Sequence, residues 1–160
     1  MGKIALQFKA TLENITNICT EGDNFRWYIK VKCANCGETT DRFVYVCLEE
    51  SAPLKGGRGS ANLVLKCHLC SRENSISIIK ELLGKYTIDN DNQFVSMVTF
   101  ECRGIEPVDY QPTCGFVGES SESTTQFKEI TFAEGDWTDY DENASVSVGI
   151  YDLEYRFVKA

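Results

Sequence analysis

The chain has 160 residues, 42% of them hydrophobic and 11% aromatic, with only three prolines. That suffices for one domain, or two small units sharing a core, and does not suit a disordered segment. Its 24 acidic residues outnumber 16 basic ones for a net charge of −8, a field that repels a phosphate backbone and argues against nucleic acid as a partner.

In chain order, residues 1–7 lack the apolar core of an export signal, and Leu6 stands where N-myristoylation needs Ser or Thr. Residues 3–12 read as a strand. Residues 25–32 (Phe25-Arg-Trp-Tyr-Ile-Lys-Val-Lys32) are aromatic, β-branched and alternating, and so read as a second. They lead into Cys33-Ala-Asn-Cys36, and residues 41–48 return as the partner of a hairpin with the cysteines near its tip. Lys55-Gly-Gly-Arg-Gly-Ser60 lacks the Gly-Lys-Ser/Thr ending of a P-loop and reads as a flexible connection, at the opposite end of its hairpin from the cysteines. Residues 62–66 lead into Cys67-His-Leu-Cys70, with residues 75–79 returning. A short helix over 76–83 is the weaker alternative there, given the Ser-Ile-Ser-Ile alternation and Gly84. Further strands are expected at 94–101, 126–132, 145–151 and 154–158. Residues 135–142, Gly-Asp-Trp-Thr-Asp-Tyr-Asp-Glu, read as a solvated acidic loop pinned by Trp137 and Tyr140, with partner docking as the second reading.

No run of about 18 apolar residues interrupts this order, so no membrane helix is expected. A faint echo about 69 residues apart pairs 25–32 and Cys33 with 94–101 and Cys102. The fold class expected is therefore all-β, sandwich-like, with two similar small β-subdomains. Residues 1–84 would form the zinc-binding one and 85–160 a metal-free one packed against it, with C-terminal strands crossing over.

The chemistry lies in the two Cys-x-x-Cys pairs. A tight turn aims two thiolates at one point, and two such turns supply the tetrahedral sulfur shell that Zn²⁺ takes at about 2.3 Å. The predicted metal ligands are Cys33, Cys36, Cys67 and Cys70, holding one zinc per chain. Thirty residues separate the pairs, more than a usual zinc-ribbon spacer, so a β-excursion is expected between them. Lys32, Lys66, Arg42 and Arg72 flank the pairs and can offset the formal −2 charge of four thiolates around zinc. Gly37 suits the left-handed conformation that follows such a turn, and Ser71 is a less favourable occupant of the matching place.

A closed four-cysteine shell leaves no position for water or substrate and is structural by default. His68, the one histidine, sits inside a pair and is expected to point outward. Cys47 reads as apolar filler, and Cys102 beside Arg103 as the best candidate for a reactive thiol. A disulfide-exchange motif would place one pair at a helix start, whereas both pairs here follow strands. Eight cysteines without an export signal suit a reducing, cytoplasmic setting, where the sequons at Asn14 and Asn143 carry no glycan.

Several stretches together carry a resemblance: Ala10-Thr-Leu-Glu-Asn-Ile-Thr16, Phe25-Arg-Trp-Tyr28, Leu54-Lys-Gly-Gly-Arg-Gly-Ser-Ala-Asn62, Arg72-Glu-Asn74, Phe100-Glu-Cys-Arg-Gly-Ile-Glu-Pro107, Gly135 to Glu142 and Val148-Gly-Ile-Tyr-Asp152. In this order they resemble the eukaryotic CXXC-motif-containing zinc-binding proteins over essentially the whole chain. The resemblance implies a small, mostly β protein of two similar subdomains, zinc on Cys33, Cys36, Cys67 and Cys70, and no established catalytic activity. Cys19, Cys47 and Cys114 lie outside that pattern.

The function expected is a non-enzymatic, zinc-stabilised protein, monomeric, that recognises another protein. The alternative is a metal-handling protein exchanging zinc or copper(I) through its thiolates, since soft sulfur suits both ions. A thiol reductase acting through Cys102 is a third class. Phe100 stands where the zinc-stapled methionine sulfoxide reductases carry arginine, which weighs against it.

Overall fold

The computed structural model describes residues 2–57 and 59–160. Within them the chain forms fourteen strands and three single-turn 3₁₀ segments. The strands are β1 (Gly2–Glu13), β2 (Ile15–Thr20), β3 (Trp27–Cys33), β4 (Val44–Val46), β5 (Ala52–Pro53), β6 (Ser60–Ala61) and β7 (Leu63–Lys66). They continue with β8 (Glu73–Ile78), β9 (Val95–Arg103), β10 (Ile105–Gln111), β11 (Cys114–Ser120), β12 (Gln126–Thr131), β13 (Trp137–Asp141) and β14 (Val146–Lys159). The fold is all-β, as the period-two patterning requires. No helix among the described residues is long and apolar enough to cross a membrane.

A six-stranded sheet runs β13-β14-β1-β9-β8-β7; two three-stranded sheets run β10-β3-β4 and β12-β11-β2, and β5-β6 form a small ribbon. The hairpins expected around the cysteine pairs are present, since β3 pairs with β4 and β7 with β8, both antiparallel. The strands expected at 145–151 and 154–158 are one long strand, β14 (Val146–Lys159), and the 76–83 stretch splits into β8 and a 3₁₀ turn at Lys80–Leu82.

Pairing repeatedly crosses the position where the two subdomains were expected to divide. β1 lies between β9 and β14, β2 pairs with β11, and β3 with β10. β14 pairs with β1 and β13, and strands from both halves feed one buried cluster. Its centre is aromatic. Phe8 of the six-stranded sheet meets Tyr110 of the β10-β3-β4 sheet at 5.6 Å and Phe116 of the β12-β11-β2 sheet at 5.9 Å, with Phe116 a further 4.9 Å from Phe132. Tilted and edge-on rings at these separations add to simple burial.

The acidic stretch 135–142 is a correction. It is not a solvated loop: Trp137 to Asp141 form the edge strand β13, with Trp137 packed on Phe127 at 5.7 Å and Asp141 fully buried. Tyr140 remains 51% exposed. The glycine-rich stretch also departs from expectation. A 3₁₀ turn at Lys55–Gly57 joins β5 to β6, Arg58 lies outside the described residues, and the Lys55 amide donates to Glu73 Oε2 at 3.2 Å. Glu73 pairs with Lys66, the residue before Cys67, so the loop folds back toward the cysteine end.

Candidate metal centre

Alternation along β3 buries Trp27, Ile29, Val31 and Cys33 in turn, so Cys33 enters the centre from the protein side. The chain then reverses through a knuckle in which the Cys33 amide donates to the Glu38 carbonyl (2.8 Å) and the Gly37 amide to the Cys33 carbonyl (2.8 Å). The second knuckle repeats both bonds, Cys67 amide to Arg72 carbonyl at 2.9 Å and Ser71 amide to Cys67 carbonyl at 2.8 Å. Gly37 and Ser71 occupy matching places with φ of 82° and 63°. Both adopt the left-handed conformation the turn was expected to demand.

The two tips face each other. The four sulfurs of Cys33, Cys36, Cys67 and Cys70 lie within 4.8 Å of one another, with Cys33 and Cys70 3.8 Å apart and Cys36 and Cys67 3.5 Å apart. A regular tetrahedron with metal–sulfur bonds of about 2.3 Å has edges of about 3.8 Å. The donor set and its spacing therefore fit tetrahedral zinc. Among the described residues no His, Asp or Glu joins the four sulfurs.

Two asparagines serve this shell. Asn35 Nδ2 points at Cys70 Sγ (3.4 Å), and its oxygen accepts from Arg72 Nη1 (3.4 Å). Asn74, buried in β8, points Nδ2 at Cys33 Sγ (3.4 Å). Turned by half a revolution, the same amide would donate to the Gly104 and Glu73 carbonyls at 3.1 and 3.3 Å. A metal-bound thiolate only accepts, so the orientation that donates to sulfur is the one that serves a loaded site. The Asn74 amide, with the Cys36 backbone N–H, lowers the Cys33 thiol to about 6. The Asn35 amide and the Arg72 backbone N–H lower Cys70 likewise. At Cys36 the Glu38 amide pulls down, but burial and proton sharing with Cys67, Cys70 and Cys33 outweigh it and push the thiol up to about 12.

Gly104 closes the back of the site. It turns β9 into β10 at φ 77°, its carbonyl accepts from the Ala34 amide at 2.8 Å, and a Cβ there would collide with Asn74 Oδ1. A turn from the second half of the chain thus supports the first knuckle. Of the flanking cations, Arg72 reaches the sulfur shell, through Asn35, and the Lys32 stem lies along Gly37.

His68 points outward as expected, its side chain 73% exposed and its Nε2 3.9 Å from Glu38 Oε1. Cys47 is buried filler that donates to the Asp23 carbonyl at 3.3 Å. Cys102 is corrected: alternation in β9 buries it, Arg103 turns to Glu101 (3.7 Å), and burial pushes the thiol up to about 12. Among the described residues no guanidinium activates it. Sequence reading missed Asn35, Asn74 and Gly104. The available signal was an asparagine inside a knuckle and another in phase with Ile76 and Ile78 along its strand.

Two zinc-type knuckles stapling a β fold define the class. The family model for "CXXC motif containing zinc binding protein, eukaryotic" matches residues 5–158. The human CXXC motif containing zinc binding protein is 57% identical over 159 residues, 99% of either chain, and that of Xenopus laevis is 55% identical over the same extent. The crystal structure of C1orf123 superposes with a TM-score of 0.96 at 56% identity, covering 99% of this chain and 100% of that one. A hypothetical protein from Plasmodium falciparum gives 0.89 at 26% identity, again over 99% and 100%. The chain belongs to the eukaryotic family of CXXC-motif-containing zinc-binding proteins.

Proposed function

We propose that this protein holds one zinc ion per chain on Cys33, Cys36, Cys67 and Cys70 as a structural element, performs no catalysis, and acts by binding another protein. The observation that carries the reading is the convergence of four sulfurs from two knuckles. A shell closed by four thiolates leaves no place for a reacting water, and the remaining candidate nucleophile, Cys102, is buried. The partner surface favoured is edge strand β13, which offers Asp139 and a half-exposed Tyr140. Native mass spectrometry with elemental analysis tests the metal. One zinc is expected in wild type, lost when any of the four knuckle cysteines becomes serine and kept in Cys102→Ser; zinc retained in all four single variants would overturn the assignment.

Metal exchange is the second reading, favoured by the exposure of Cys36. A structural ion yields to a competing chelator only as fast as the fold opens, whereas a carried ion, zinc or copper(I), leaves quickly from the folded protein.

A further inference from the structure

The four sulfurs are unequal. Cys33 is buried, Cys67 and Cys70 are half-buried, and Cys36 is exposed. Cys36 is the exposed thiol on a groove of about 770 Å³ that the buried Cys33 and Cys102 also line, with Lys3, Lys32, Lys159 and Glu106 in its walls, ample for a small oxidant. The sulfurs also differ in their partners. Cys33 and Cys70 each accept an asparagine N–H, from Asn74 and Asn35, whereas Cys36 and Cys67 have each other at 3.5 Å and no side-chain amide. A hydrogen bond to a thiolate spreads its charge and lowers its nucleophilicity. The pair without a side-chain amide donor is therefore the more reactive, and one of its members faces solvent.

We propose that Cys36 is an oxidation site at which hydrogen peroxide acts, and that it then closes on Cys67 as a disulfide that releases the metal. This rests on the zinc reading above. The Cys36 thiolate attacks one peroxide oxygen; an S–O bond forms, the O–O bond breaks and hydroxide leaves, giving the sulfenic acid. The Cys67 thiolate attacks that sulfur; an S–S bond forms, the S–O bond breaks and a second hydroxide leaves. The two thiolates lose two electrons, one peroxide gains them, and at neutral pH the hydroxides are protonated to water. The sulfurs must close from 3.5 Å to about 2.05 Å. Cys33 and Cys70 then remain as two ligands, and the four-sulfur grip is lost.

The other thiols serve as internal controls. Cys102 is buried. Cys114 is exposed, but its sulfur lies 3.6 Å from Glu129 Oε2, and partial desolvation together with the Glu129 carboxylate raises the thiol. The test treats the zinc-loaded full chain with hydrogen peroxide. It follows released zinc with a chromogenic chelator, traps sulfenic acid with dimedone, and maps disulfides by peptide mass spectrometry. Zinc should leave in step with a Cys36–Cys67 disulfide, early trapping should label Cys36, and dithiothreitol plus zinc should restore the site. Cys114→Ser should release zinc at the wild-type rate. Zinc retained while Cys114 is oxidised, or a first sulfenic acid or disulfide that omits Cys36, overturns the proposal. Metal content before peroxide separates the two readings. Chain purified without zinc sinks both, whereas zinc-loaded chain that keeps its metal through peroxide sinks only the oxidation site.

Discussion

At Ser71 and Gly37 the same turn is built from different residues, so the cost of a side chain in the left-handed region can be read directly. An L-residue there is strained by roughly 1–2 kcal/mol, while glycine carries about 0.5–1 kcal/mol of extra unfolded-state entropy. Ser71→Gly should therefore raise stability by up to about 1 kcal/mol, and Gly37→Ala should lower it by about 1 kcal/mol. The nearest atom to a Cβ at Gly37 is Lys32 Cε at 4.0 Å, so backbone strain and not crowding sets that loss; urea unfolding of the zinc-loaded protein measures both. Asp141 makes a second argument at this scale. Burial pushes its carboxyl up, but hydrogen bonds from Ser120, Ser123, Thr125 and the Ala144 amide prevail and hold it well below the usual carboxylate range. Ser123 and Thr125 donate at 2.6 and 2.7 Å. An unfolded aspartate takes up its proton near pH 4, while the folded one resists to lower pH. Between those values the unfolded chain binds more protons, so this contribution is fully present above about pH 4 and is lost as pH falls toward the folded value. Thermal unfolding from pH 2 to 7 should show this slope reduced in Asp141→Asn, with a lower Tm at pH 7.

Two buried tyrosines show how elements use a hydroxyl. β1 shifts register against β14 between Lys9 and Thr11, and Tyr86 fills the irregularity: its hydroxyl accepts from the Ala10 amide at 3.1 Å and donates to the Gln93 carbonyl at 2.7 Å. Tyr110, in the aromatic centre, has no partner for its hydroxyl among the described residues. Removing a satisfied buried group strands its partners at a cost of about 1–3 kcal/mol, whereas removing an unsatisfied one costs little or helps. Tyr86→Phe should lose stability by about that amount, and Tyr110→Phe should match or exceed wild type; equal losses in denaturant titrations would refute the contrast. Such irregularities also decide what could be read from sequence. The hairpins around both cysteine pairs and the knuckle conformation at Gly37 and Ser71 were legible because alternation and motif spacing act locally. β2 was missed because Asn14 and Asn17 take positive φ, 54° and 55°, and interrupt its alternation. β10 contains Pro107 at a register shift, which argues against a strand on paper. β11 contains Gly118, where a Cβ would lie 3.3 Å from Ile15, Ile18 and Ile130; the missing side chain makes room for the core. β13 looked like loop because edge strands carry charge. At the metal centre the sulfurs were legible, but Asn74 and Gly104 depend on long-range pairing that local patterns do not encode.

At the scale of the molecule, the centre joins two sheets. Cys33 ends β3 of a three-stranded sheet, while Cys67 and Cys70 lie between β7 and β8 at one edge of the six-stranded sheet. Structural zinc supplies roughly 10–16 kcal/mol in small domains, comparable to the 5–15 kcal/mol total stability of a domain. Stripping the metal should raise amide exchange first in β3, β4, β7 and β8, and least in β11 and β12, whose sheet holds none of the four cysteines; uniform exchange would show that zinc is not a local staple. A fragment of residues 1–84 should fail to fold even with zinc, because β1 would lose both its neighbours, β9 and β14; a cooperative unfolding transition in that fragment would count against this. The position of β1 has a consequence during synthesis. It precedes the other described strands, yet its earlier neighbour ends at Arg103, and ribosomes add only about 5–20 residues per second. A strand with one apolar face therefore waits several seconds without a mate at the tunnel mouth, which makes the nascent chain, more than the finished protein, the species in need of a chaperone.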